Sequence, residues 1–297
     1  MTNFAIETNQ LTKSFAGQSA LRGLDLRVPV GSIFGFLGRN GAGKTTTIKT
    51  LMGLLRPDSG AAQVFGVPIV DADSSVEIRR RIGFVTEDKE LYPYMTVEEI
   101  IRFTRPFFPN WRHDLEQRYL QIFELPPRRK IPDLSKGMRS QLMLLIAVSR
   151  GADLLVLDEP TDGLDPAATE NVLRELVTIS ASSGTTIFFS SHQLAEVEAI
   201  ADHIGIVDQG KMIVAGSLDD IKTRYQRLRL VFADPPKLPT RWVEGVESVH
   251  QEGRVVSILA SHNADAIIDQ ARSFSGSDVE RFPVTLKEIF LEHVRSN

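Results

Sequence analysis

Gly38-Arg39-Asn40-Gly41-Ala42-Gly43-Lys44-Thr45 follows the apolar run Ile33-Phe34-Gly35-Phe36-Leu37 and leads into residues 46–54, whose pattern predicts a helix. Strand, glycine-rich turn, Lys, Thr, helix is the arrangement of the phosphate-binding P-loop, G-x-x-x-x-G-K-[ST]. Glycines let successive backbone N–H groups turn toward one anion, and the helix N-terminus adds partial positive charge. Gly38, Asn40, Gly41 and Gly43 shape the turn, with Thr46 opening the helix beside it as a further contact. Lys44 is placed to reach the β- and γ-phosphates of a nucleotide, and the Thr45 hydroxyl to hold Mg²⁺. A glycine-rich turn with an incidental lysine is the plain alternative, disfavoured by the strand before it and the helix after it.

The chain around this loop has 297 residues, which favours one large domain and a smaller one. Its composition, 42% hydrophobic and 24% charged, is that of an ordinary globular protein. A net charge of -4 argues against a generally nucleic-acid-binding surface. The absence of cysteine excludes disulfides, cysteine-ligated zinc and thiol catalysis. Residues 1–7 lack the basic start and apolar core of a signal peptide. The longest apolar run, residues 142–148, is too short to cross a bilayer, so any membrane work is expected to run through a partner.

Upstream of the loop, residues 4–30 read as a β-rich opening. Leu24, Leu26 and Val28 alternate with Asp25 and Arg27, the period of a half-buried strand. Phe15 sits between strand-like segments. An exposed aromatic there can stack on adenine, although an aromatic taken alone is more often core. Downstream, residues 62–70 are strand-like but broken by Gly66 and Pro68, and Ile82-Gly83-Phe84-Val85 is a short buried strand ending at Thr86-Glu87-Asp88. Thr96-Val97-Glu98-Glu99 has capping-box spacing and starts an amphipathic helix. A second helical stretch covers residues 111–124, and Pro126, Pro127 and Pro132 mark an extended connection. Residues 89–133 therefore read as a small helical insertion. The helix opened by Leu134-Ser135-Lys136-Gly137-Met138-Arg139, with Ser135 as N-cap, extends it to about residue 150. The clusters Arg79-Arg80-Arg81 and Arg128-Arg129-Lys130 are too short for a nucleic-acid footprint and read as solvated surface.

Leu154-Leu155-Val156-Leu157-Asp158-Glu159-Pro160 is an apolar strand whose carboxyl end, where α/β folds place ligands, carries two acids. Asp158 suits the Mg²⁺ shell of a bound nucleotide, and Glu159 can activate or orient the water that attacks the γ-phosphate. Gly163-Leu164-Asp165-Pro166 then turns into a helix, with Pro166 suited to its first turn. A further strand, Thr185-Thr186-Ile187-Phe188-Phe189, ends at Ser190-Ser191-His192. His192 shares that edge with the loop and the acids, so it is expected to contact the γ-phosphate. Ile204-Gly205-Ile206-Val207 and Met212-Ile213-Val214 flank a hairpin turn, and Ser217 with Asp220 caps a short helix. Beyond Tyr225 the prolines 235, 236 and 239 punctuate the chain; residues 227–231 and 255–259 read as strands, 264–273 and 285–294 as helices. The expectation is an α/β protein: a domain over residues 1–225 with a mainly parallel sheet core, an antiparallel β portion and the helical insertion. Residues 226–297 form a small α+β appendage.

In this order the segments resemble the nucleotide-binding subunits of ABC (ATP-binding cassette) transporters over residues 4–223. Residues 38–45 match the family's Walker A motif and residues 154–159 its Walker B motif with the catalytic glutamate. Residues 134–138 occupy the signature position, 163–165 the D-loop, His192 the switch histidine, and Phe15 the adenine-stacking aromatic. The resemblance implies catalytic roles for Glu159, His192 and Lys44. It implies ATP contacts from Phe15, Gly38, Asn40, Gly41, Gly43, Lys44, Thr45, Thr46, Ser135, Gly137 and Asp165, and Mg²⁺ at Thr45, Asp158 and Glu87. Three positions depart from the family: Lys136 and Met138 stand in the signature for Gly and Gln, and Glu87 stands where a Gln is usual. A carboxylate at Glu87 can still bind Mg²⁺ or orient water. These departures, and the ending Thr285-Leu286-Lys287-Glu288-Ile289-Phe290-Leu291-Glu292-His293, look like the branch serving ABC-2-type exporters.

The resemblance also implies partners. A second ATP-binding subunit would close head to tail on two ATP molecules, bringing its Ser135 and Gly137 to the γ-phosphates. A multi-span membrane permease would dock on the helical insertion, holding the chain at the cytoplasmic face of the membrane, with no nucleic acid involved. A soluble ABC ATPase acting on ribosomes or DNA is the alternative, disfavoured by a single cassette, a short insertion and no basic footprint. A GTPase is less well supported, since no Asn-Lys-x-Asp motif is present, and Lys44, Asp158, Glu159 and His192 together weaken a non-hydrolysing regulatory role.

Overall fold

Two long strands open the chain, β1 (Phe4–Phe15) and β2 (Gln18–Pro29), and Leu24, Leu26 and Val28 turn inward while Asp25 and Arg27 face water, as their alternation requires. The computed structural model describes residues 3–86, 91–239, 241–273 and 278–295. They form two compact units, Met1–Ala215 and Gly216–Asn297. After β2 the first unit runs β3 (Ile33–Leu37), α1 (Lys44–Leu51), β4 (Ser59–Val64), β5 (Val67–Pro68), α2 (Ala72–Arg81) and β6 (Ile82–Val85). Then come α3 (Val97–Thr104), α4 (His113–Ile122), α5 (Lys136–Ser149), β7 (Leu154–Asp158), α6 (Pro166–Ser183), β8 (Thr186–Ser191), α7 (Leu194–Ile200), β9 (His203–Asp208) and β10 (Lys211–Ser217).

The strands make an antiparallel sheet of order β2-β1-β4-β5 and a six-stranded sheet of order β10-β9-β3-β8-β7-β6. In the second sheet β9, β3, β8, β7 and β6 run parallel, and β10 returns through Gln209-Gly210, a connection short enough only for an antiparallel neighbour. Every residue of β3, β7 and β8 is buried, which is why their interiors, such as residues 154–157 and 187–189, run apolar on both faces rather than alternating. Gly35 in β3 leaves room for α7: a Cβ there would lie 2.3 Å from Val197 Cγ1. Leu21 and Leu24 of the antiparallel sheet, Ile48 and Leu51 of α1, and Phe36, Val156 and Phe188 of the parallel sheet share one core. Both sheets therefore fix α1, and with it the loop that precedes it.

Local boundaries differ from the sequence expectation where backbone conformation intervenes. The helix expected over residues 46–54 is α1, which starts at Lys44 behind Gly43 at φ 109° and stops at Leu51, ahead of Gly53 at φ 65°. The left-handed conformation at such a glycine ends a helix at little steric cost. α2 was not anticipated: it is short and polar, so its apolar stripe is faint, and its start is marked by an Asp71–Ser74 capping box. Its basic end is more than solvated surface. Arg81 pairs with Asp153 at 2.8 Å and lies 4.3 Å from the Phe65 ring centroid, while Arg79 Nη1 donates to the Met52 carbonyl. In the insertion, Thr96 and Glu99 form the expected capping box on α3, and Ser135 caps α5 by accepting from the Met138 N–H at 3.1 Å. Buried Glu116 of α4 knits the insertion together, accepting from Trp111 Nε1 at 2.6 Å and Arg105 Nη2 at 2.7 Å.

The second unit comprises α8 (Leu218–Arg224), β11 (Gln226–Val231), β12 (Val246–Glu252), β13 (Val255–Ala260), α9 (Ala264–Arg272), β14 (Asp278–Pro283) and α10 (Leu286–Arg295). Its antiparallel sheet, order β12-β13-β11-β14, buries Leu228, Leu230, Val256 and Ile258 against Ile267 and Ile268 of α9. This unit is α+β, as expected of residues 226–297, but it begins at Gly216 rather than 226 and takes in α8, which the sequence expectation places with the first domain. The edge strands β12 and β14 were not anticipated, because the residues they pack on this core, Val246, Val249 and Val279, are few, only partly buried and set among polar and charged neighbours.

Candidate active site

β3 ends at Leu37, and the chain turns through residues 38–43 into α1. A side chain at Gly38 would lie 2.6 Å from the Val207 carbonyl, and Gly41 and Gly43 sit at φ 83° and 109°, so this path requires glycine. No described side chain caps α1. Its first-turn N–H groups and the positive end of its dipole are left for an anion. They open onto a cavity of about 510 Å³ lined by Ala20, Arg39, Asn40, Gly41, Gly43, Lys44, Thr45, Thr46, Glu159, Asp162 and His192. The cavity is of a size suited to a small-molecule site, and its polar cradle suits a nucleotide's phosphates.

Lys44 lies at the floor of this cavity. Its Nζ donates to the Gly38 carbonyl at 2.7 Å and stands 3.2 Å from Glu159 Oε1. The two side chains are only 6% and 5% exposed as residues, so their charges meet away from bulk water. The other carboxylate oxygen, Glu159 Oε2, lies 2.9 Å from His192 Nδ1 and accepts from the His192 N–H at 3.3 Å. Glu159 thus bridges the cation of the loop and the histidine at the end of β8. Its backbone is held in the left-handed region, φ 48°.

The acid before it, Asp158, is buried behind this pair. Its Oδ1 accepts from Ser190 Oγ at 2.6 Å, and the same Ser190 Oγ accepts from the Glu159 N–H at 3.0 Å. Sheet register explains the contact, since Asp158 of β7 is paired directly with Ser190 of β8. Sequence reading named His192 but passed over Ser190; its signal was a hydroxyl closing an otherwise apolar buried strand. Asp162 and Arg39 were also missed as cavity residues. Asp162 accepts from Lys136 Nζ at 2.6 Å, so the unusual third signature residue reaches the cavity wall. A Cβ on Gly163 would lie 2.5 Å from Lys136 Cδ, so a bare glycine permits that passage.

Other expected site residues stand apart from the cavity. Phe15 is 45% exposed at the end of β1, on the hairpin whose second strand sends Ala20 to the rim. Ser135 and Gly137 sit at the start of α5, outside the lining, and Asp165 caps α6 by accepting from the Ala168 N–H at 2.9 Å. Glu87 lies outside the described residues. Among the described residues no group of three His, Asp or Glu side chains could hold a metal unaided. Thr45 and Asp158 supply hard oxygen donors, which suit a Mg²⁺ that completes its shell with phosphate oxygens and water.

A model of the ABC transporter family matches residues 21–162. The bacitracin transport ATP-binding protein BcrA of Bacillus licheniformis is 32% identical over 294 residues, spanning 97% of this chain and 94% of its own. The daunorubicin/doxorubicin resistance ATP-binding protein DrrA of Streptomyces peucetius is 37% identical over 235 residues, spanning 76% of this chain and 70% of its own. A solved ATP-binding cassette, a dimer in a post-hydrolysis state bound to ADP and Pi, shares the fold. Its TM-score is 0.66 at 21% identity, covering 72% of this chain and 98% of that one.

Proposed function

The chain belongs to the ABC transporter family as an ATP-binding subunit, an ATPase that powers transport, and on that premise we propose how its cavity works. ATP enters with its phosphates against residues 38–46, and Lys44 exchanges Glu159 for the β- and γ-phosphates. The carboxylate so released takes a proton from the attacking water or orients it, and His192 meets the γ-phosphate. The single observation carrying this reading is the placement of Glu159, held between Lys44 and His192 at one wall of the cavity. Thr45 and Asp158, with Glu87 as a third donor, would hold Mg²⁺, which neutralises charge developing on the phosphates.

Ser135 and Gly137 lie outside their own chain's cavity, which supports their service to a second copy, and a solved cassette of the same fold is a dimer. α5 is capped at Ser135, so its N-terminus can offer donors to a γ-phosphate presented in trans. Permease docking on the helical insertion is supported by a cluster of exposed aromatics, Tyr92, Tyr94, Phe103 and Phe107, in mutual ring contact. They adjoin a groove of about 540 Å³ lined by Leu91, Pro93, Ile100 and Met143. An exposed apolar patch of this kind marks an interaction surface. No described helix is long and apolar enough to cross a membrane. The transport path is assigned to the membrane-spanning partner, which would hold this chain at the cytoplasmic face. Export is the direction supported by a relative named for drug resistance.

Glu159→Gln tests the catalytic core of this reading. The substitution keeps size and hydrogen-bonding shape while removing the base. Turnover is expected to fall about 10²- to 10⁴-fold with ATP binding intact. Unchanged phosphate release in that variant overturns the assignment.

A further inference from the structure

Behind the Glu159–His192 contact lies a further buried carboxylate. Glu196, in the first turn of α7, is 6% exposed, and its Oε2 accepts from Thr161 Oγ1 at 2.6 Å and from Ser191 Oγ at 3.3 Å. Its Oε1 is buried with no hydrogen-bond partner among the described residues. Burial pushes its carboxyl above the usual range, with the two hydroxyl hydrogen bonds acting against that rise. A carboxylate is an expensive way to fill space in such a place.

What it grips is informative. Thr161 follows Glu159 closely in the chain, and Ser191 directly precedes His192. The two turns that carry the Glu159–His192 contact are thus tied to one oxygen atom. Glu159 needs such support: a non-glycine residue at φ 48° is in a conformation costing about 1–3 kcal/mol, which persists only where its surroundings over-determine it. Ser190 holds the Glu159 N–H, and the Asp162 N–H donates to the Glu159 carbonyl at 3.2 Å. Thr161, between them and Glu196, anchors the turn that leads away. On the other side, the Gln193 N–H donates to Ser191 Oγ at 2.9 Å, closing the turn around His192 onto the same cluster.

We propose that Glu196 is a positioning residue for ATP hydrolysis, setting Glu159 against His192 by gripping Thr161 and Ser191 together. This rests on the reading that Glu159 and His192 act at the γ-phosphate. The test measures kcat and ATP dissociation constant for the full chain carrying Glu196→Ala, Glu196→Gln, Thr161→Val or Thr161→Ser, beside wild type and Glu159→Gln. Displacement of a catalytic group by about 1 Å can cost about 100-fold. The Ala and Val variants are expected to lose about 10- to 100-fold in kcat while ATP affinity stays within about 3-fold. Gln keeps an acceptor and Ser a hydroxyl, so both are expected to restore most of that loss. Combining Glu196→Ala with Thr161→Val is expected to add little to either alone. Near-wild-type kcat in the Ala and Val variants overturns the proposal, as does a loss matched by weaker ATP binding or unrescued by Gln and Ser. If Glu196→Ala does not fold, the Thr161 pair decides. Unchanged activity in Glu159→Gln sinks the catalytic reading itself, and this proposal with it.

Discussion

Replacing Ser190 by alanine probes the join between the two acids. Ser190 is fully buried, and its single oxygen donates to Asp158 Oδ1 at 2.6 Å while accepting the Glu159 N–H at 3.0 Å. Alanine removes that oxygen and little volume, so hydrogen bonding is lost rather than packing. A hydrogen bond to an ionised carboxylate contributes about 1.5–3 kcal/mol, and a buried N–H left unpaired costs about 1–3 kcal/mol. Part of each is recovered by relaxation or a water, so the expected destabilisation is about 3 kcal/mol. Urea unfolding followed by the fluorescence of buried Trp111, with Trp242 replaced by Phe, reads it in the first unit. Catalysis should fail before binding does. Glu159 loses an anchor of its φ 48° backbone, while the glycine turn and α1 are untouched, so kcat is expected to fall at least about 10-fold with ATP affinity within about 3-fold. A destabilisation below about 0.5 kcal/mol with kcat unchanged would refute the reasoning, because the bridge would then be decorative.

Gly43→Ala places a Cβ 2.8 Å from the Ala20 carbonyl at φ 109°, and both terms oppose it. Calorimetric titration is expected to show ATP binding weakened at least about 10-fold, with a lower melting temperature; wild-type affinity would mean the loop tolerates a side chain there. Glu196→Gln carries a pH signature. Burial, then Glu159, raises the Glu196 carboxyl, while Thr161, Ser191 and His192 lower it, for a net upward shift. The folded chain therefore holds this proton more tightly than the unfolded chain, and wild-type stability falls as pH rises from the unfolded value, about 4.3, through the folded one. The neutral variant lacks that slope, so its melting temperature relative to wild type should be flat below about pH 4 and climb toward neutrality. A pH-independent difference counts against a charged Glu196.

The legible parts of this protein are those whose participants are close in sequence. The glycine loop at 38–45, the acids closing 154–159, the caps at Thr96 and Ser135 and the alternation at 24–28 each express a rule acting over one turn or one strand. That was enough for the fold class and for naming Lys44, Asp158 and Glu159, whereas His192 was named because its strand is expected to end at the same edge as the loop and the acids. α2, β12 and β14 escaped because their exposed, polar residues leave a faint period. Sheet order lay beyond local rules as well. Backbone hydrogen bonds between strands do not record which strand they join, and only the packed core places β8 between β3 and β7.

By itself, then, the sequence determined that there is a phosphate-binding loop, a pair of acids at a strand end and a histidine at another. Tertiary structure decided what they touch. The contacts of Ser190 with Asp158, His192 with Glu159 and Thr161 with Glu196 span 32, 33 and 35 residues. Each exists because neighbouring parallel strands end at one edge, in a register set by the burial of both sheet faces.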